Sequence, residues 1–261
     1  MKKILMLIIF IPIFTLSFSL SADEIFEKMC NRENQTLRGL GEVKFVDPSG
    51  KLTGSRLAET WIYVDSNNLK KKLLVLHKPD NFKGTRFLTV QNKGRDDDSW
   101  IYLPDLQTSR RLSTSDKSKA FLNAPDGTLT NEDMEVKSPG DYNCKLLSEE
   151  SVENEPCYIV EATKKVQGDT QYSKQVFWIS KTKWLQLKIE YYDKKGNKQK
   201  ITTYKKIRQV NGVWTTEFFE MKNLKNEWSI LYRINKIAYG DAAKVEPERF
   251  TNRFLTTGEI K

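Results

Sequence analysis

The residue types that most often carry enzyme chemistry are sparse in this chain. It has 261 residues and a single histidine, His77. That count excludes catalytic dyads with two imidazoles and zinc sites that need two or three histidines. The sequence also lacks the nucleophile motif Gly-x-Ser-x-Gly, the metalloprotease motif His-Glu-x-x-His and a phosphate-binding glycine loop. We therefore predict no cofactor and no metal, and an enzyme is not the favoured interpretation.

Three polar features each leave two interpretations open. His77 precedes Lys78-Pro79 at a strand end, where it is either structural or catalytic. The triplet from Asp96 to Asp98 is either a calcium site or a solvated turn. Arg110 and Arg111 are adjacent, so in an extended strand they point to opposite faces. One of them is expected in solvent, whereas the other could bind a lipid headgroup phosphate or an acidic partner.

The three cysteines suggest one disulfide. Residues 145–156 have the composition of a polar hairpin loop between two short apolar strands. If these strands pair about a centre near residue 150, Cys144 and Cys157 face each other and could form a disulfide bond outside the cytoplasm. Two unbridged buried thiols are the alternative, and Cys30 has no partner in either case.

The first residues have the layout of a secretory signal peptide. A positive start at Lys2-Lys3 precedes an apolar run from Ile4 to Leu20, and small residues follow at Ser21 and Ala22. The run contains a proline and is shorter than the roughly 20 residues of a stable span, so an uncleaved anchor is the less favoured reading. We predict a signal peptide at residues 1–22, a single domain at residues 23–261 and a periplasmic location. The formal charge of +9 is spread along the chain and indicates no nucleic-acid partner.

The elements that must position any site are mostly strands. A short amphipathic helix is expected from Asp23 to Arg32, with Ile25, Phe26 and Met29 on its apolar face. After it, segments rich in β-branched and aromatic residues recur between short turns, which predicts a large antiparallel sheet. The eleven predicted strands are Leu40–Val46, Leu57–Val64, Leu69–His77, Thr85–Gln91, Ser99–Leu103, Cys157–Ala162, Gln175–Ser180, Trp184–Asp193, Gln199–Ile207, Val213–Met221 and Trp228–Tyr239.

Two of these strands alternate clearly between apolar and polar residues, which predicts one dry sheet face. So little helix cannot seal this face, and the sheet must pair with a second sheet or curl around an apolar hollow. We predict that the hollow is lined by Leu185, Leu187, Ile189, Tyr191, Trp228, Ile230, Tyr232 and Ile234. Trp100 and Tyr102 either pack into the core at a strand end or form the rim of the hollow.

Several motifs resemble one known family. The series consists of Lys83-Gly84-Thr85-Arg86-Phe87-Leu88, Asp98-Ser99-Trp100-Ile101-Tyr102-Leu103-Pro104, Arg110-Arg111-Leu112, Phe121, Asn131-Glu132-Asp133-Met134, Cys157-Tyr158-Ile159-Val160 and Phe250-Thr251-Asn252-Arg253-Phe254-Leu255. It resembles the LolA-like outer-membrane lipoprotein-sorting proteins, in the branch often found beside membrane exporters of the resistance-nodulation-division (RND) type. The resemblance implies a curved, incomplete antiparallel β-barrel of about eleven strands, with short helices over its open side.

Three functions remain after these observations. The resemblance favours a carrier or chaperone that binds acyl chains of lipoproteins or lipids for sorting toward the outer membrane. A lipid-acting hydrolase of the phospholipase kind is an alternative, although only His77 and scattered carboxylates could activate its nucleophile or water. An accessory subunit of an RND-type exporter is the third. The implied partners are acyl chains, an inner-membrane RND transporter and an outer-membrane acceptor.

Overall fold

The computed structural model describes residues 20–260 with the exception of 33, 96 and 167–169. The predicted signal peptide at residues 1–22 lies outside this range apart from its last three residues. Among the described residues, no helix is long and apolar enough to cross a membrane.

Strands dominate the described chain. They are β1 (Leu37–Val46), β2 (Leu52–Val64), β3 (Lys70–Lys78), β4 (Arg86–Val90), β5 (Asp98–Leu103), β6 (Thr108–Arg111), β7 (Tyr142–Val152), β8 (Glu155–Lys164), β9 (Tyr172–Ser180), β10 (Gln186–Asp193), β11 (Lys198–Val210), β12 (Val213–Asn223) and β13 (Ser229–Tyr239). The α-helices are α1 (Ala22–Asn31) and α2 (Asn252–Thr257). Short 3-10 helices lie at Asp80–Phe82, Pro104–Leu106, Thr114–Asp116, Phe121–Asn123, Pro125–Gly127, Glu132–Met134, Pro139–Asp141, Gly240–Ala243 and Pro247–Arg249.

All strands join one antiparallel sheet that is not closed into a barrel. Its order is β6-β5-β4-β3-β2-β1-β13-β12-β11-β10-β9-β8-β7, so the first and last strands of the chain pair at its centre. The predicted curved, incomplete β-barrel with few short helices is thereby confirmed, with thirteen strands in place of about eleven. The two missed strands, β6 and β7, are the sheet edges. Both are mostly exposed and polar, so they lack the alternation that reveals a half-buried strand.

The predicted N-terminal helix is present as α1. Ser21 caps it, since its hydroxyl accepts from the Glu24 backbone N at 3.2 Å and the Glu24 carboxylate accepts from the Ser21 N at 2.7 Å. Ser21 thus stabilises the first turn of α1, although it lies within the predicted signal peptide. The apolar stripe of α1 buries Ile25, Phe26 and Met29 against β7, β8 and β9, as predicted.

The disulfide prediction is wrong in its register. Two consecutive residues with positive φ, Glu153 and Asn154, form the β7–β8 turn, so the hairpin centre lies between them and not near residue 150. Cys144 consequently pairs with Ala162, whereas Cys157 pairs with Glu150. The two cysteines also pack in separate apolar clusters, and all three cysteines are free thiols.

Candidate functional site: an apolar cavity under a lid

The inner face of the sheet is crossed by the chain between β6 and β7, which we call the lid (residues 112–141). Its 3-10 turns are too short to present a continuous apolar stripe, so individual side chains make the contacts. Phe121 and Leu129 are buried in the main apolar cluster, and Met134 packs against it. The Phe121 ring lies 4.6 Å from the Phe87 ring of β4, which ties the lid to the sheet. The helices predicted over the open side are therefore these short turns together with α1.

A buried ion pair anchors the lid to the opposite half of the sheet. The Lys200 ammonium on β11 donates to the Asp133 carboxylate at 2.8 Å, and both side chains are fully buried. The same carboxylate accepts from the Tyr172 hydroxyl at 2.6 Å and from the Thr130 hydroxyl at 2.8 Å. Burial next to Asp133 raises the pKa of Tyr172 well above its usual value, so Tyr172 stays a donor. These contacts satisfy the charges, and they fix the lid at one point.

Two neighbouring residues extend this attachment. Glu132 is buried and accepts from the Thr170 hydroxyl and from the Gln171 backbone N. Glu135 forms ion pairs with Lys117 at 3.4 Å and with Lys164 at 3.3 Å. The acidic stretch that carried part of the family resemblance therefore attaches the lid to the sheet.

An apolar cavity of about 340 Å³ remains between the lid and the inner sheet face. This volume lies near the lower end of the range of small-molecule pockets. The wall residues come from the end of α1, seven strands and the lid. They are Arg32, Leu37, Gly39, Val43, Phe45, Arg56, Ala58, Thr60, Ile62, Lys72, Leu74, Phe121, Leu129, Asp133, Met134, Glu135, Gln186, Tyr191, Tyr204, Thr215, Thr216, Phe219, Met221, Ile230, Tyr232, Ile234, Ile237 and Tyr239. We call this space the apolar cavity.

Two glycines form part of the floor of the apolar cavity. Gly39 lines it, and a side chain there would meet only ordinary contacts, the nearest being the Lys236 carbonyl oxygen at 3.6 Å. Gly41, two residues on and therefore on the same face, is covered by the Tyr232 ring. A Cβ at Gly41 would lie 2.3 Å from the Tyr232 hydroxyl oxygen, so that ring position requires glycine. The floor thus has open space above Gly39, whereas the Tyr232 ring covers it at Gly41.

Half of the predicted lining residues reach this cavity. Tyr191, Ile230, Tyr232 and Ile234 line it. Trp228 precedes β13 and packs at the edge of the main cluster, and Ile189 is buried within that cluster beyond the cavity wall. Leu185 and Leu187 instead lie in a cluster with Trp178 on the outer face.

A β-bulge explains the misplaced leucines. In the pairing of β10 with β9, Gln186 opposes Ile179 and Lys188 opposes Trp178, so Leu187 is an extra residue. One extra residue inverts the alternation, because strand side chains have a period of two. Gln186 therefore lines the cavity in place of Leu187. The expectation that Leu185, Leu187, Ile189 and Tyr191 share one face is wrong.

A second, more polar cavity of about 340 Å³ adjoins the first near β4 to β6. The two share a wall made by Lys72, Leu74, Phe121, Met134 and Glu135. The residues predicted at a rim or headgroup site lie at this end. Trp100 and Arg111 line the polar cavity, whereas Tyr102 packs beside Trp100 against the cluster that contains Phe254 of α2.

The two adjacent arginines are both engaged by carboxylates. Arg110 contacts Asp116 at 3.2 Å, and Arg111 pairs with Asp98. Their side chains extend to opposite faces of β6, since Arg110 pairs with Ile101 and Arg111 with Trp100 in the register. Neither guanidinium lines the apolar cavity, so a role in headgroup binding stays a prediction.

Burial perturbs two titrating groups at the polar cavity. Burial raises the pKa of Asp97 to about 6, and the nearby carboxylates Glu135 and Asp141 add to this effect. Burial, together with the charge of Lys137, lowers the pKa of Lys72 to about 8. The Lys72 ammonium donates to the Met134 carbonyl oxygen of the lid at 2.9 Å.

His77 stands apart from both cavities. Its Nε2 lies 3.1 Å from the Glu59 carboxylate, which also accepts from Arg38 at 2.6 Å. Among the described residues it lines neither cavity. The sequence had left a catalytic role open, and the geometry gives this histidine no contact with the enclosed space.

Several residues of the site were missed at the sequence level. Lys200 precedes Thr202 and Tyr204 on the inner face of β11, and a lysine on an apolar face was the available signal for a buried partner. The glycine pair Gly39 and Gly41, spaced by two in a strand, was the signal for a hollow floor. Arg56 gave no sequence signal, because β2 alternates weakly.

Comparisons with known proteins agree with this fold. A family model described as "Uncharacterized protein" matches residues 68–257, and no curated protein sequence matches the chain. A domain from Vibrio parahaemolyticus described as an outer membrane lipoprotein-sorting protein superposes with a TM-score of 0.82 at 23% identity, covering 90% of this chain and 98% of that chain. A DUF1329 family protein from Desulfovibrio piger gives a TM-score of 0.82 at 25% identity, with coverage of 90% and 97%.

A third similar structure carries the superfamily name itself. It is a LolA superfamily protein from Nitrosomonas europaea, which superposes with a TM-score of 0.70 at 20% identity and with coverage of 90% and 100%. These matches extend over most of the chain, as do the motifs that carry the resemblance. Because the family model matches well over half of the chain, the chain belongs to that family, and it shares its fold with the LolA superfamily protein and the lipoprotein-sorting domain.

Proposed function

We propose that the protein is a periplasmic carrier that binds acyl chains of lipids or lipoproteins in the apolar cavity, for sorting toward the outer membrane. The observation that carries this proposal is the apolar hollow itself, enclosed between the inner sheet face and a lid of short turns. A soluble domain of this size would ordinarily fill such a space with side chains. Here Gly39 and a lid without a continuous apolar stripe keep it open.

The energetics of hydrocarbon binding suit this space. Transfer of an acyl chain from water yields about 0.8 kcal/mol for each methylene, so a chain of about twelve carbons gains roughly 9 kcal/mol before the costs of ordering. The cavity volume of about 340 Å³ favours one chain rather than several. Since a membrane offers the same chain a similar gain, loading and release must be nearly balanced exchanges with a donor and an acceptor.

The similar solved structures support the same function. The similar domain from Vibrio parahaemolyticus is described as an outer membrane lipoprotein-sorting protein. An inner-membrane transporter of the RND type as donor, or an outer-membrane acceptor, would complete the exchange, and both belong to this proposal. A hydrolase is not favoured by any observation at the cavity, because His77 lies away from it.

Filling the cavity from its floor tests the proposal. In Gly39→Phe, the new ring extends from the floor into the hollow, whereas Leu40→Phe adds the same bulk to the opposite face of β1. The measurement is titration of the delipidated protein with a fluorescent fatty acid. We expect saturable binding by the wild type and by Leu40→Phe, and at least a tenfold loss in Gly39→Phe. Absence of saturable binding to the wild type, or equal binding by folded Gly39→Phe, would refute the proposal.

A further inference from the structure

Arg56 is a cation that faces the apolar cavity. Arg56 lies on β2, where the register places it opposite Val43 of β1, and its side chain lines the cavity. Within the described part of the chain, Arg56 forms no ion pair with a carboxylate. Its one hydrogen bond runs from Nη1 to the Ser55 carbonyl oxygen at 2.9 Å. The other guanidinium N–H groups are left to solvent or to a ligand.

The Nε atom of Arg56 is buried and has no hydrogen-bond partner. A buried donor without an acceptor costs free energy, and such groups in native proteins call for an explanation. Burial lowers the pKa of Arg56, and no neighbouring acid opposes that effect. The cation is thus held in a position where a bound anion would stabilise it.

Two aromatic rings hold the guanidinium in place. Its central carbon lies 4.1 Å from the Phe82 ring centroid and 5.2 Å from the Phe45 ring centroid. These contacts limit its rotation while leaving its edge free, and the edge of a guanidinium carries the paired N–H donors that fit a carboxylate or a phosphate. The group is therefore positioned before any ligand arrives.

The strand beyond Arg56 offers a path for a hydrocarbon tail. Ala58, Thr60 and Ile62 follow at alternate positions on the same face of β2, and all three line the apolar cavity. The far end of this path is marked by Lys72, which pairs with Ile62 in the register. Arg56 and Ile62 are six residues apart, or roughly 20 Å along a strand. The cavity thus has a cation at one end of an apolar path of acyl-chain length.

Extending the proposed function, on which this inference rests, we propose that Arg56 binds the anionic head of a single-chain amphiphile, a carboxylate or a phosphate monoester, whose tail runs along β2 in the apolar cavity. Arg233 lies on β13 between Tyr232 and Ile234, so its side chain extends to the opposite face of the sheet, where it is exposed. Removal of its charge should therefore leave recognition of the head unchanged. This difference supplies a matched control.

The test compares ligands that share a tail and differ in their heads. Isothermal titration of the delipidated protein uses laurate, dodecyl phosphate and the neutral dodecanol, with butyrate as an anion that lacks the long tail. The variants are Arg56→Met, which keeps a flexible apolar stem, Arg56→Lys, which keeps the charge without the fork, and Arg233→Met, which makes the same change outside the cavity. The ratio of laurate to dodecanol affinity within each variant is independent of any general loss of folded protein.

We expect the ratio of laurate affinity to dodecanol affinity to change only in the variants of Arg56. In Arg56→Met the laurate affinity falls about tenfold to a hundredfold while that of dodecanol is unchanged, Arg56→Lys is intermediate, and Arg233→Met behaves as wild type. A greater loss for dodecyl phosphate than for laurate would identify phosphate as the preferred head, and the reverse would identify carboxylate. An unchanged ratio in Arg56→Met overturns the inference but leaves the carrier function standing. Failure of the wild type to bind any twelve-carbon ligand overturns the proposed function itself.

Discussion

The inner face of this one sheet is sealed in two different ways. Over β7 to β9, α1 packs the Phe26 ring 5.2 Å from the rings of Tyr142 and Phe177, and Ile25 and Phe26 have no exposed surface. Over β1, β2, β12 and β13, the lid contributes single side chains from separate turns and a hollow of about 340 Å³ remains. We call the first region the filled half and the second the hollow half.

The difference follows from the elements that cover each half. An α-helix presents apolar residues three and four positions apart as a continuous stripe that can interlock with a sheet. A 3-10 turn of three residues can present only one or two apolar side chains to the sheet. The lid over the hollow half is therefore held by single apolar contacts together with polar attachments at Asp133, Glu132 and Glu135. We expect a cover attached in this way to open without unfolding of the sheet.

Breaking the buried ion pair between Lys200 and Asp133 should have the largest effect on stability. In Lys200→Met, the buried Asp133 carboxylate loses its ion-pair partner, and we expect the free energy of unfolding to fall by about 3–5 kcal/mol. Local opening should be concentrated in the hollow half. Hydrogen exchange should therefore show lost protection in residues 116–135 and retained protection in α1. Equal loss of protection in α1 would show that the two halves are not separate.

A matched pair of valine truncations compares the packing of the halves directly. Val160 is fully buried in the filled half, whereas Val43 lines the hollow. Because Val43 already lacks neighbours on one side, Val160→Ala should cost about 2–3 kcal/mol and Val43→Ala less than about 1 kcal/mol. Denaturant unfolding measures both values. Similar costs at the two positions would mean that the hollow half is as tightly packed as the filled half.

The smallest expected effect concerns the polar cavity beside the hollow half. Burial raises the pKa of Asp97 to about 6 from its ordinary 3.8, so the folded state holds more protons than the unfolded state between these values. Stability therefore falls as the pH rises through this window. Asp97→Asn removes this dependence, and its melting temperature should exceed that of the wild type by about 2–4 °C at pH 7 but match it near pH 3.5. A difference in melting temperature of the same size at both pH values would show that the effect does not come from titration of Asp97.

Sequence patterns predicted what depends on local periodicity. The apolar stripe of α1 and the alternation in β13 gave the helix, the sheet and three cavity residues, Ile230, Tyr232 and Ile234. They did not predict features that depend on a single extra residue or on distant partners. The bulge at Leu187 inverts one strand, and the pairing of Asp133 with Lys200 joins residues far apart in sequence. Composition around β7 also suggested a turn near residue 150, where the chain continues as a strand to Val152.

The position of a bound hydrocarbon tail tests the central claim most directly. Crystals grown with 12-bromododecanoate would locate the bromine by its anomalous signal. The account predicts a bromine peak inside the apolar cavity, on the Ile62 side of Thr60, with the carboxylate near Arg56. A peak confined to the outer sheet face, or no ordered bromine within the cavity at saturating ligand, would contradict the claim that this hollow holds hydrocarbon.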